Sequence, residues 1–271
     1  MITREPVLFP ENATRGQMFA LGVRWGVAEL GRAVTIGGQA LARAGDLRRA
    51  AARRELFRQM YVAGIGSLPV ITVVAVFTGM ILALQTGIEL RRFNQEVYIG
   101  SAVMVSMLRE MGPFNTGLIL AACVGSAMAA QLGTMTVNDE IAALETMSID
   151  PVRFLMTPRI VAMAILTPAL SFYTCMMGVL GGAVVGVTQL NVPWTQYLQA
   201  ALDFARAKDL YVGMFKALLF GLLITTISCY EGFTATQGAV GVGQATRRSV
   251  ITSFLTILIV GYFVTRLFYY E

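Results

Sequence analysis

The chain has 271 residues, 56% of them hydrophobic and only 14% charged. Soluble globular proteins are about a quarter charged, so this chain cannot cover a soluble surface with ions and reads as a polytopic membrane protein. A bilayer core of about 30 Å takes roughly 20 apolar residues per helix. The length therefore allows at most about six or seven spans, with little left for a soluble domain.

The formal net charge is +5 and there is no histidine, which excludes imidazole chemistry and histidine metal sites. Cys123, Cys175 and Cys229 stand alone in apolar runs. They lack metal-ligand spacing and read as small buried hydrophobes. The lysines are Lys208 and Lys216 alone, and no phosphate-binding Gly-x-x-x-x-Gly-Lys-Ser/Thr run occurs. Gly241-Val-Gly243 opens like a dinucleotide fingerprint, but Thr246 stands where the third glycine is needed.

In chain order, residues 1–60 form a basic arm, with ten arginines in the first 58 residues. No apolar core falls early enough for a signal peptide. Within about 16–45, Phe19, Val23, Val27, Leu30, Val34 and Leu41 share an arc of roughly 80° on a helical wheel. Arg24, Arg32 and Arg43 lie outside it, and Trp25 fits the headgroup level. This predicts an amphipathic interfacial helix; an irregular arm is the alternative, because glycines weaken helices.

The remainder, 61–271, is the transmembrane domain. Span one is predicted at 61–88, followed by a turn from Glu89 to Glu96. Span two, 97–137, is interrupted by Arg109 and Glu110, and Gly112-Pro113 predicts a kink or a re-entrant start. A polar loop covers 138–159. Span three covers 160–190, a half-polar stretch 191–209, and span four, with Lys216, 210–230. A glycine-rich loop from Glu231 to Arg248 then leads to span five, 249–268. The fold class is all-α: an interfacial helix plus five spans. With the N-terminus cytoplasmic, the inside segments carry fourteen of the 21 basic residues (Arg153, Arg159, Arg247 and Arg248 added to the ten) and the outside segments five. The positive-inside rule then favours a cytoplasmic N-terminus and an external C-terminus.

Three patterns could carry mechanism. Gly178, Gly182 and Gly186 make a double Gly-x-x-x-Gly, and Ala122, Ser126 and Ala130 a milder version. Such stripes pack helices closely, within the bundle or across a homodimer. Arg109, Glu110 and Lys216 are charges inside apolar runs. Neighbours on a helix point about 100° apart, so Arg109 and Glu110 each need their own partner or a wet cavity. A polar substrate path and structural ion pairs both fit. In the loop, Thr136-Val-Asn-Asp139 has the form of a capping box. It predicts a short helix at about 138–150, stopped by Asp150-Pro151. Ile141 and Leu144 would give it an apolar edge for a cytoplasmic partner; an ordinary loop helix is the alternative.

At this loop the sequence resembles the MlaE family of permeases. The residues that carry the likeness are Arg109-Glu-Met-Gly-Pro113, GSAMAAQLGTM (125–135) and EIAALETMSIDPVRFLMTPR (140–159). Also alike are Asp209-Leu with Phe215-Lys-Ala-Leu-Leu-Phe-Gly221, and Gly238 through Thr246. The likeness spans about residues 16–268. It implies a non-catalytic permease subunit of an ABC transporter, moving phospholipid between the inner and outer membranes of the bacterial envelope. By this resemblance the chain forms a homodimer in the inner membrane. Its expected partners are an MlaF-type ATPase holding ATP and Mg, a periplasmic MlaD-type MCE protein and an MlaB-type STAS protein.

The resemblance assigns Asp139, Glu140, Ile141, Ala143, Leu144, Glu145, Asp150, Pro151 and Arg153 to the ATPase-coupling helix and its end. Leu82, Leu90 and Phe93 match the lipid-pocket region, with Arg109, Glu110 and Lys216 as polar contacts or gating pairs. The chain departs from the family where Cys123 replaces an arginine, Gln131 a glutamate and Val240 a glutamate. The joint loss at 123 and 131 is expected if those two residues form an ion pair in relatives. Two other readings remain open: an ion-coupled carrier using the intramembrane charges, for which five spans divide poorly into inverted halves, and a structural membrane scaffold. Nothing in the charge pattern points to nucleic acid.

Overall fold

The computed structural model describes residues 50–270, together with Gly31, Thr35, Gly37 and Gly38. The interfacial helix expected at 16–45 lies outside the described residues. Among the described residues there is no strand, and five helical stretches are long and apolar enough to cross a membrane.

Helix α1, Ala50–Arg92, is 43 residues long. At 1.5 Å per residue that is about 65 Å, well beyond a bilayer core. It starts before the charge-free run and passes residues 60 and 61 unbroken. Arg91 and Arg92 in its last turn favour the negative end of the helix dipole. A turn with Asn94 in the left-handed region (φ 55°) and a 3-10 segment, Glu96–Tyr98, reverse the chain.

The second crossing is continuous from α2 (Ile99–Ser106) through α3 (Gly112–Leu120) to α4 (Ser126–Val137), joined by π-helical segments Met107–Met111 and Ala121–Gly125. It is not re-entrant. Pro113 explains the first π segment: its ring cannot donate to Arg109 O and crowds that carbonyl. The helix widens instead, with Gly112 N donating to Met107 O, five residues back.

The loop helix α5 covers Glu140–Thr146. A third π segment, Val152–Met156, feeds α6, Thr157–Thr188. Here too a proline, Pro158, lies two residues beyond the π segment. The half-polar stretch contains a helix, α7, Trp194–Phe204. Helix α8, Ala207–Phe233, and α9, Gly238–Tyr269, complete the bundle. The predicted glycine-rich loop over 231–248 is corrected: only residues 234–237 are loop. Gly241 works inside a helix, because a Cβ there would strike the Thr236 carbonyl.

The core divides into three layers. One joins Ala83, Ile99, Met107 and Tyr197 at the end where α1 finishes, called here the far side. A middle layer joins Ile71, Leu120, Leu170, Phe220 and Ile257. The third, beside the loop helix, joins Leu132, Leu155, Met156, Ile160 and Phe233. Polar stitches cross between helices, notably Thr116 with Thr174 (2.7 Å), Thr72 with Tyr173 (2.8 Å), and Asn115 donating to Thr78 (3.1 Å). Outward, α1 exposes Val73, Phe77 and Ile81, and α9 exposes Ile251, Leu255, Leu258 and Phe263. An apolar surface of this extent suits acyl chains or another apolar helix, not water.

Candidate functional site

The intramembrane charges meet on the far side. Arg109 forks onto Asp209, Nε to Oδ1 at 2.8 Å and Nη2 to Oδ2 at 3.1 Å. Such bidentate pairs fix orientation as well as charge. The Asp209 side chain is 1% exposed. The Tyr269 hydroxyl also donates to Asp209 Oδ1, at 2.8 Å, while its ring lies 4.6 Å from the Arg109 guanidinium.

Beside this pair, Lys216 Nζ donates to Glu110 Oε1 (2.6 Å), to Thr265 Oγ1 (2.7 Å) and to Arg109 O (2.9 Å). The third bond completes the account of Pro113. The carbonyl that lost its backbone donor is capped by an ammonium from another helix. All three lysine protons are used. On the other side of the π segment, the Cys175 thiol donates to Met107 O at 3.3 Å.

Arg109 and Glu110 therefore each have their own partner, as their angular separation requires. The side chains of Arg109 and Glu110 remain 35% and 42% exposed, so the network has one open edge. Sequence reading missed Asp209, Thr265 and Tyr269. Asp209 was findable: it precedes Lys216 by seven residues, two turns, and shares its helix face.

The glycine stripe acts within the chain. A Cβ on Gly178 would strike the Met107 side chain. On Gly182 it would sit 2.7 Å from the Tyr197 hydroxyl, and on Gly186 3.1 Å from the Tyr197 ring. Tyr197, fully buried, donates to Val179 O at 3.2 Å and uses the stripe as a socket. The α1–α6 contact uses Gly79 and Gly181, whose added Cβ atoms would hit the Gly178 and Val76 carbonyls. Of the pocket residues, Leu82 and Leu90 pack half-buried on the far-side core, while Phe93 is 72% exposed in the turn.

The loop helix corrects the sequence reading in three ways. It is shorter than 138–150. Thr136 is not a cap: α4 continues through it, and its hydroxyl turns to the carbonyls of Leu132 (2.8 Å) and Gly232 (3.0 Å). Asp139 takes the N-cap position in the left-handed region (φ 58°), with no side-chain cap bond. Ile141 and Leu144 are not a free edge either, since they pack onto the third core layer. The outward surface is Glu140, Ala142, Ala143, Glu145 and Met147. Asp150-Pro151 both ends this loop and starts the next helix. Asp150 Oδ1 accepts from Val152 N (3.0 Å), with exposed Arg153 N at 3.4 Å.

Arg159, counted as a loop cation above, is 2% exposed inside α6. It donates to Leu155 O (2.7 Å) and Gln131 Oε1 (2.9 Å), and among the described residues its Nε has no partner. Cys123 is exposed, contrary to expectation, whereas Cys175 and Cys229 are buried. Gln131 faces Arg159, while Cys123 stands exposed two turns earlier in the same crossing.

A bundle of five membrane-length helices, with a packed loop helix at one end and a paired-charge network near the other, is the architecture of a multi-pass membrane protein. Comparison with known proteins gives the family. The family model described as Permease MlaE matches residues 56–267, and the chain belongs to that family. It is 40% identical over 214 residues to a probable ABC transporter permease protein of Rickettsia prowazekii, covering 79% of this chain and 83% of that one. It is 34% identical over 217 residues to a probable ABC transporter permease protein of Synechocystis, covering 80% and 82%. It is 33% identical over 217 residues to the intermembrane phospholipid transport system permease protein MlaE of Haemophilus influenzae, covering 79% and 82%.

Proposed function

We propose that this chain is the non-catalytic membrane subunit of an ABC transporter that moves phospholipid between the inner and outer membranes, driven by a separate ATPase. The observation that carries the reading is the family match, which runs from α1 through all five crossings and the loop helix. Phospholipid as cargo rests on the Haemophilus relative's name. ATP and Mg would be held by an MlaF-type partner. A second copy of this chain, an MlaD-type MCE protein and an MlaB-type STAS protein would complete the assembly in the inner membrane, with the N-terminus cytoplasmic.

The geometry suggests how force would pass. The partner would press on the outward face of α5, at Ala142, Ala143 and Met147. Ile141 and Leu144 tie that helix to the third core layer, so the push would reach α4 and α6 rather than be lost in a loose loop. The π segments at 121–125 and 107–111 interrupt the regular ladder on the way to the far side and give the second crossing places to bend. Leu82 and Leu90 would meet acyl chains there, with the partly open Arg109 and Glu110 edge beside them. Filled pairing of all four charges favours this reading over an ion-coupled carrier, which needs a charge to be released in each cycle.

The test is ATPase activity and lipid movement of the complex in proteoliposomes. Ala143→Arg is expected to uncouple ATPase from transport while insertion and thermal midpoint stay unchanged. Leu144→Arg is expected to lower the midpoint as well, because it drives a charge into the core. Transport without ATP by the chain alone would sink the proposal.

A further inference from the structure

Helix α7 is built in three sectors. Successive helical residues turn by about 100°, so Tyr197, Ala200 and Ala201 fall on one side, and all three are buried. Trp194, Leu198 and Leu202, spaced by four, make a second sector. Trp194 is 46% and Leu202 66% exposed, and Leu198 is half-buried. Thr195, Gln199 and Asp203, also spaced by four, make a third and are exposed, with exposed Gln196 beside them.

A helix standing in water needs no separation between its exposed apolar and polar residues. A helix sunk in lipid would not carry the polar sector. One protein face, one apolar face and one polar face together suit a helix lying along the edge of a bundle at a membrane boundary.

The surroundings agree. The protein face is fixed by Tyr197 in the Gly182 and Gly186 socket. A Cβ on Gly100 would strike the Tyr197 carbonyl, so α7 lies tight on α2. The end of α7 carries Phe204, half exposed and packed edge-on at 5.9 Å against Tyr98, itself 45% exposed. Such rings, with Trp194, belong at the headgroup level. Arg206 and Lys208 follow directly in the chain and are exposed, suited to lipid phosphate. Ile88, at the end of α1 on the same side, is 49% exposed and continues the apolar band of the crossings.

We propose that α7 is an interfacial helix seated in the lipid leaflet on the far side. Trp194, Leu198 and Leu202 face the acyl boundary, and Thr195, Gln199 and Asp203 face water. The occupant of its apolar sector is lipid, not a second copy or a partner's membrane helix. The assignment is independent of what the chain transports.

Trp25 and Trp194 are the two tryptophans. The intact complex would be placed in nanodiscs as Trp25→Phe and as Trp25→Phe/Trp194→Phe, and the difference in emission isolates Trp194. Phospholipid brominated near the headgroup end of its chains is expected to remove most of that emission. Bromine near the terminal methyl should remove less, and aqueous acrylamide little. Quenching by acrylamide alone would put Trp194 in water and overturn the proposal. Quenching by neither would mean that protein covers it, with the same consequence. In the Trp25→Phe/Trp194→Phe background, Leu202→Trp should repeat the shallow bromine response and Gln199→Trp should respond to acrylamide. The same response from both would remove the sector assignment.

Discussion

The two ends of the bundle bury cations in opposite ways. On the far side Lys216 meets a carboxylate, a hydroxyl and a carbonyl, and Arg109 meets a carboxylate and an aromatic ring. Near the loop helix, Arg159 is as buried as Lys216, but among the described residues it bonds only a carboxamide and a carbonyl, with no partner for Nε. Burying a charge without its counter-charge is costly, and the cost falls with each added partner. The far side is thus locked by directly bonded, complementary charge, while on the loop-helix side no carboxylate among the described residues bonds Arg159, and Glu55 acts on it only from a distance.

This contrast can be broken from either end. The largest effect is expected for Lys216→Met, which strands Glu110 and uncaps Arg109 O. It should cost about 1–3 kcal/mol, chiefly from the uncapped carbonyl because the partly exposed Glu110 keeps some of its solvation, read as a fall in thermal midpoint in nanodiscs. Glu110→Met added to it should recover part of that loss, because the pair is then removed as a unit. Failure to recover would mean that the lysine acts through something other than charge pairing. Gln131→Glu should act in the opposite direction. It offers Arg159 a carboxylate at a partly exposed position and should raise stability by about 1 kcal/mol. A lower midpoint would show that Arg159 is already compensated.

The smallest effect separates the backbone role of Lys216. Pro113→Ala supplies the missing N–H to Arg109 O. In the Lys216→Met/Glu110→Met background it should add about 1 kcal/mol. In the otherwise unchanged chain it should add less, because the ammonium already caps that carbonyl. Equal effects in both backgrounds would break the link between proline, π segment and lysine.

Much of this was legible in the sequence. Charge-free runs of span length depend only on composition along the chain, so the five crossings stood out. The need for separate partners at Arg109 and Glu110 followed from helix geometry alone. Helix ends were less legible. Gly238, Gly241 and Gly243 look like loop residues, yet Gly241 is needed for close backbone packing inside α9. Thr136 has the spacing of a cap but sits where the helix has not ended. The outward face of α5 was misread, because Ile141 and Leu144 share a face whichever way that face turns.

The sequence by itself determined the class of protein, the number of crossings and the family, because hydropathy, charge placement and motif order are properties of the chain. Only the tertiary structure decided partners: Asp209 for Arg109, Thr265 and a proline-orphaned carbonyl for Lys216, Tyr197 for the glycine stripe, and Gln131 for Arg159. These pairs lie 11 to 107 positions apart, from the 186–197 contact to the Lys216–Arg109 bond. Spacing along one helix shows which residues share a face, but only packing shows what that face meets.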